Sequence, residues 1–132
     1  MKSLQPTWKL SEKEILKKFS FLQSAFEFPK LKKKWIRDEY YISTRKGNVE
    51  FSTLIHQFSW YSPEINIVIH SESLKPTSLK FYSIDKLDES GELKKIVEKG
   101  RDYIPLYVKK CASLLRENPN ILNGIITDFL KK

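Results

Sequence analysis

Glycine is scarce in this chain, and its four copies, Gly47, Gly91, Gly100 and Gly124, stand far apart. A phosphate-cradling loop needs closely spaced glycines so that the backbone can approach the anion, so a glycine-rich nucleotide site is excluded. Cysteine is scarcer still. Cys111 is the only one, which rules out an intrachain disulfide and gives no sign of an oxidising compartment. His56 and His70 are the only histidines. They are neighbours if the two strands that carry them pair, but no acidic residue or cysteine stands at ligand spacing to complete a metal site. No G-x-S-x-G turn occurs among the serines. No apolar run approaches the roughly 20 residues of a membrane span. Lys2 and Lys9 are not followed by the apolar stretch of a signal peptide. These absences lead us to expect a cytoplasmic protein with no cofactor, no metal and no membrane span.

What is present is the pattern of a folded domain. At 132 residues the chain fits one domain, 1–132, and is long enough to hold a core without covalent staples. Three Trp, six Tyr and eight Phe supply the bulky apolar groups that disordered chains lack. The formal charge of +8 is uneven. Residues 1–46 carry 12 Lys/Arg against 5 Asp/Glu, residues 47–100 carry 6 against 8, and residues 101–132 carry 6 against 3. The excess therefore sits in the first third, where it favours encounters with anionic partners.

Hydrophobic spacing sets the order of elements. Ser11 and Glu14 have the capping-box spacing of a helix start. Ile15, Phe19, Leu22 and Phe26 follow as one apolar stripe, and Pro29 ends the helix near Glu27. Residues 30–37, KLKKKWIR, read as an awkward helix or loop. From Tyr40 the period becomes two. Lys46-Gly47-Asn48 is a turn signal between this strand and the alternating run Val49 to His56, which together make a hairpin. A third strand spans Ile65 to His70. A fourth spans Ser78 to Ile84, with Leu79 and Phe81 facing inward. Helix then returns: a short one capped by Ser90 and ended by Gly100, and a longer one capped by Asp102 with Pro105 in its first turn. In the longer helix Ile104, Tyr107, Val108, Cys111, Leu114 and Leu115 form a stripe. Asn118-Pro119 begins a final turn closed by Gly124, and Ile125, Ile126, Phe129 and Leu130 pack beyond it. Segregated strand and helix runs predict an α+β fold: an N-terminal helix, an antiparallel meander of about four strands, and C-terminal helices on one sheet face.

Catalytic chemistry finds little support. Cys111 on an apolar stripe reads as an inert buried thiol. The acids Asp85, Asp88, Glu89 and Glu92 crowd beside a turn, as a solvated loop does. Two binding surfaces remain. Phe58, Trp60 and Tyr61 cluster in QFSWYSPE, more aromatics than a connection needs, and Trp and Tyr are favoured interface anchors. Lys33, Lys34 and Arg37, with Lys30 and Lys32, surround Trp35 in the basic segment. Cations beside aromatics can hold phosphates while bases stack, although Trp35, Tyr40 and Ile42 also alternate as core residues do. No RNA-recognition, zinc-knuckle or helix-turn-helix signature accompanies them. The favoured reading is a non-enzymatic domain that binds another protein through Phe58, Trp60, Tyr61, Lys33, Lys34 and Arg37. The alternative is a nucleic-acid binder using residues 30–37.

The segments FSFLQSAFEF, EYYIST, NVEFSTLI, INIVIH and YVKKCASLLRENPNILNG together resemble the layout of a loose class of small bacterial α+β domains. Several of these are similar to immunity proteins of polymorphic toxin systems. The resemblance implies a cytosolic, non-catalytic protein that neutralises a cognate toxin, and it brings no catalytic residues with it. Immunity proteins against nuclease toxins are usually acidic. The charge of +8 departs from that pattern and implies an acidic target, or docking away from the toxin's active site.

Overall fold

A computed structural model describes residues 7–56, 63–70, 79–97 and 103–124. It has the α+β architecture expected from the sequence, with five strands rather than about four. The strands are Lys32–Ile36 (β1), Glu39–Lys46 (β2), Val49–His56 (β3), Glu64–His70 (β4) and Leu79–Ser83 (β5). They form one antiparallel meander in the order β1-β2-β3-β4-β5. The additional strand is β1, which occupies the basic segment. Its lysines hide the period of two, because they stand on both sides of the strand.

The first helix departs from its expected limits. It runs Thr7–Lys18 (α1), and a separate turn of helix spans Phe21–Phe26 (α2). Ser11 and Glu14 are therefore inside α1 and buried rather than forming a cap. The Ser11 hydroxyl has no hydrogen-bond partner among the described residues. The break at Phe19-Ser20 has a packing reason. Two residues 200° apart on one helix cannot share a face, yet Phe19 and Phe21 are both buried, with ring centroids 5.9 Å apart. The Ser20 hydroxyl donates to the Lys17 carbonyl at 3.0 Å, satisfying one acceptor left at the helix end. Glu27 closes α2 with φ of 61°, just before Phe28-Pro29, where the sequence placed the stop.

Pairing register assigns each strand residue to a face. Tyr40 lies opposite Ile55, Ile42 opposite Thr53, Phe51 opposite Ile67, and Ile67 opposite Tyr82. This is the core face, and Ile42, Phe51, Thr53 and Ile67 are fully buried on it. Phe19, in the break after α1, packs its ring 4.5 Å from that of Phe51. Removing such a ring costs about 3–5 kcal/mol. The two buried threonines are satisfied: Thr44 donates to the Pro29 carbonyl at 2.6 Å and Thr53 to that of Ile42 at 2.9 Å. Phe81 belongs to the other face, opposite Val68, and is 62% exposed. This corrects the inward placement expected for it. Pairing Tyr82 with Ile67 shifts β5 by one residue, which exchanges its faces.

After β5 come a 3-10 turn at Ile84–Leu87, the helices Glu92–Val97 (α3) and Ile104–Glu117 (α4), and a second 3-10 turn at Pro119–Asn123. The stripe on α4 is buried except at Tyr107, which is half-buried, and α4 packs against α1 over the sheet. Gly124 ends the last turn with φ of 89°. Gly100, Asp102 and residues 125–130 lie outside the described residues. No described helix is long and apolar enough to cross a membrane.

Candidate protein-binding edge

β1 is a sheet edge among the described residues, and all five of its residues are exposed. Charge alone would explain the lysines. It does not explain Trp35 and Ile36, which remain 41% and 45% exposed. Burying such side chains is worth about 1.5–3 kcal/mol each, so an apolar pair left in water at a sheet edge is informative.

Trp35 is held in place. It lies directly opposite Tyr40 across the β1–β2 ladder and stacks on it, with centroids 4.5 Å apart and planes at 18°. Trp8 of α1 sets its edge against both rings, 5.1 Å from Trp35 and 5.6 Å from Tyr40. Such pairs contribute about 0.5–1.5 kcal/mol beyond area burial. The Tyr40 hydroxyl donates to the Glu12 carboxylate. Burial, and then this carboxylate, raise the Tyr40 phenol above its ordinary range, so it remains a neutral donor at physiological pH. The Lys33 ammonium stands 3.8 Å from the same Glu12, and that of Lys9 lies 5.6 Å from the Trp8 ring. The start of α1 is thus tied to the β1–β2 hairpin, and Trp35 is an ordered anchor with little rotamer freedom left to lose.

The hairpin also fixes which backbone groups face outward. Ile36 lies opposite Glu39 across the two-residue turn Arg37-Asp38. Residues flanking such a turn exchange both backbone hydrogen bonds, and the bonded pairs then alternate along the ladder. Ile36, Lys34 and Lys32 therefore bond to β2. The N–H and C=O groups of Lys33 and Trp35 point away from the sheet, with no strand beside them among the described residues.

The sequence-predicted site residues divide into two groups. Lys33, Lys34 and Arg37 all lie on this edge or its turn, but they do not form one patch. Lys33 shares the core side with Trp35, whereas Lys34 shares the open side with Lys32 and Ile36. Phe58, Trp60 and Tyr61 lie outside the described residues. Sequence reasoning missed Trp8 and Ile36 and left Trp35 between a base-stacking role and a core one. The alternation of Lys32, Lys34 and Ile36 against Lys33 and Trp35 was the available signal.

Other chemistry is poorly supplied. His56 and His70 are not neighbours, because antiparallel pairing places them at opposite ends of the β3–β4 ladder. His56 stands 3.3 Å from Glu64 and His70 2.5 Å from Glu50. Among the described residues no three His, Cys, Asp or Glu side chains gather as metal ligands. Cys111 is buried, and burial pushes its thiol up to about 12, far from the thiolate that nucleophilic attack requires. Two of the four acids in residues 85–92 have structural partners. Asp88 accepts the Leu93 amide at 2.7 Å, and Glu92 pairs with Lys110 at 2.9 Å. Comparison with protein-family models, with curated proteins and with solved structures finds no match to this chain.

Proposed function

We propose that this chain is a non-enzymatic protein-binding domain that docks its partner on β1 and the adjoining Trp8–Trp35 cluster. The resemblance to immunity proteins supports neutralisation of a cognate bacterial toxin as its specific role. The observation that carries the reading is the exposure of Trp35 and Ile36 on an ordered sheet edge. An aromatic anchor already fixed by two neighbours loses little entropy on binding, and such residues dominate interface energetics. Nucleic-acid binding through residues 30–37 is less well supported. Lys33 lies on the opposite side of the strand from Lys32 and Lys34, and Tyr40 already occupies one face of Trp35.

A photoreactive side chain at Ile36 will identify the partner, which is then purified and titrated. Trp35→Ala should weaken that complex about 30-fold, equivalent to about 2 kcal/mol. If the substitution lowers the melting temperature and leaves affinity unchanged, Trp35 serves the fold alone and the reading fails. Single-stranded RNA and duplex DNA provide the opposing test. Binding that weakens by orders of magnitude between about 50 and 200 mM salt would favour phosphate recognition. The toxin role requires a neighbouring gene product whose toxicity this chain suppresses.

A further inference from the structure

We infer that β1 receives an acidic extended segment of the partner by strand addition, so that the partner continues the sheet as a sixth strand. The inference rests on the protein-binding reading and specifies the partner's chemistry and its mode of docking. Two independent features of the edge support it.

The first is the backbone. Lys33 and Trp35 each present an N–H and a C=O outward, spaced as two consecutive bonding positions of an antiparallel ladder. An incoming strand finds four hydrogen-bonding groups already aligned by the β1–β2 hairpin, and strand addition draws its affinity from such groups.

The second is charge, which selects the occupant. Lys32 and Lys34 flank the edge on the open side, with Arg45 of β2 exposed on that same side, and Lys33 stands on the core side. A second copy of this chain is disfavoured. Each of the three antiparallel registers that would pair residues 33 and 35 with those of a copy sets one basic side chain opposite another: Lys34 opposite Lys34, Lys33 opposite Lys33, or Lys33 opposite Arg37. Like charges directly opposite one another destabilise a ladder, and edge lysines are a common device against self-pairing. A strand with consecutive carboxylates converts those repulsions into attractions, chiefly on the open side, since Lys33 on the core side is already shared with Glu12. An antiparallel partner would meet Ile36, Trp35, Lys34, Lys33 and Lys32 in turn. The complementary pattern is therefore two apolar residues followed by three acidic ones.

The probe is a short synthetic peptide containing Val-Val-Glu-Glu-Glu, added to isotope-labelled full-length protein and followed by NMR. The Lys33 and Trp35 amides should shift, and their hydrogen exchange should slow about tenfold or more at saturation. Methylating the peptide nitrogens of the second Val and second Glu removes the two donors facing Lys33 and Trp35 and should abolish binding. Replacing the three acids with lysine should do the same. Lys33→Pro removes an outward donor without touching a bond to β2 and should lose binding, whereas Lys33→Gln should retain most of it. The methylated peptide serves as the test if the proline variant does not fold. Equal binding of the methylated peptide would overturn strand addition in favour of charge attraction alone. No binding of the parent peptide at about 1 mM would overturn the edge assignment. Neither outcome decides the parent reading, which the Ile36 cross-link and the Trp35→Ala titration measure on the partner itself.

Discussion

Arg37 and Gly47 occupy the same position in two turns of the same kind. Each is the first residue of a two-residue hairpin loop, with φ of 58° and 61°, and each is followed by a residue with negative φ. That sign pattern is the type II′ one, in which glycine is preferred at the first position. Gly47 fits the position without strain, whereas Arg37 holds a side chain in a region that L-residues avoid at a cost of about 1 kcal/mol or more. Arg37→Gly should therefore stabilise the fold by about 1 kcal/mol in denaturant titration. Gly47→Ala should destabilise it by a similar amount. A β-carbon at Gly47 meets nothing within 4 Å, so its penalty arises from the backbone alone. Unchanged stability in both variants would show that the turns are not strained as described. Arg37→Gly also separates stability from binding, because it removes an exposed cation beside β1 while improving the turn.

The cap of α3 offers a second test. Sequence spacing assigned it to Ser90. The Asp88 carboxylate instead accepts the Leu93 amide at 2.7 Å, while its other oxygen accepts the Ser90 hydroxyl at 3.0 Å. The contact from the Glu92 amide to the Ser90 hydroxyl is long, at 3.4 Å. Asp88→Ala should cost about 1 kcal/mol of stability, the usual value for losing a cap, and Ser90→Ala distinctly less. The reverse order would restore Ser90 as the principal cap.

These two cases show where the chain was readable. Elements with a clean period were legible. The stripe from Ile104 to Leu115 and the alternation of β2 and β3 each follow from one buried face. Gly47 marked its turn because only its residue type signals a positive φ. Arg37-Asp38 carried no such signal, so the β1–β2 hairpin stayed hidden and β1 read as loop or helix. The parity of β5 depended on pairing Tyr82 with Ile67, a long-range choice that local pattern does not encode. The candidate edge was half legible. Lys33, Lys34 and Arg37 were identified from charge, but their division between two faces and the exposure of Trp35 required the register.

The buried thiol predicts a reactivity pattern. Cys111 lies on the α4 stripe in the core, with its thiol pushed up to about 12 by burial. An aromatic disulfide reagent near pH 8 should label it only through opening of the fold, so labelling should follow stability as denaturant is added. Cys111→Ser should destabilise by about 1–3 kcal/mol, because the new hydroxyl is desolvated. Rapid labelling in the native state would place the thiol in contact with solvent.

Tyr40 predicts how stability changes at high pH. Its phenol is raised above the ordinary value of about 10 by burial and then by Glu12. Below that value both folded and unfolded states hold the proton, and the contribution is fully present. As pH rises past about 10 the unfolded chain releases the proton first, so stability falls by up to about 1.4 kcal/mol per pH unit for this group. Tyr40→Phe removes the hydrogen bond to Glu12 and should cost about 1–3 kcal/mol at neutral pH, since the acceptor is charged. It should also flatten the alkaline decline by this one proton. Part of the slope remains, because Cys111 is raised as well and loses its contribution in the same direction from about pH 9 to 12. Urea titrations of both proteins between pH 7 and 11 measure the two effects together. Parallel pH profiles would show that the Tyr40 phenol is not held neutral by the fold. The link between α1 and the β1–β2 hairpin would then rest on ring packing and on the contact between Lys33 and Glu12.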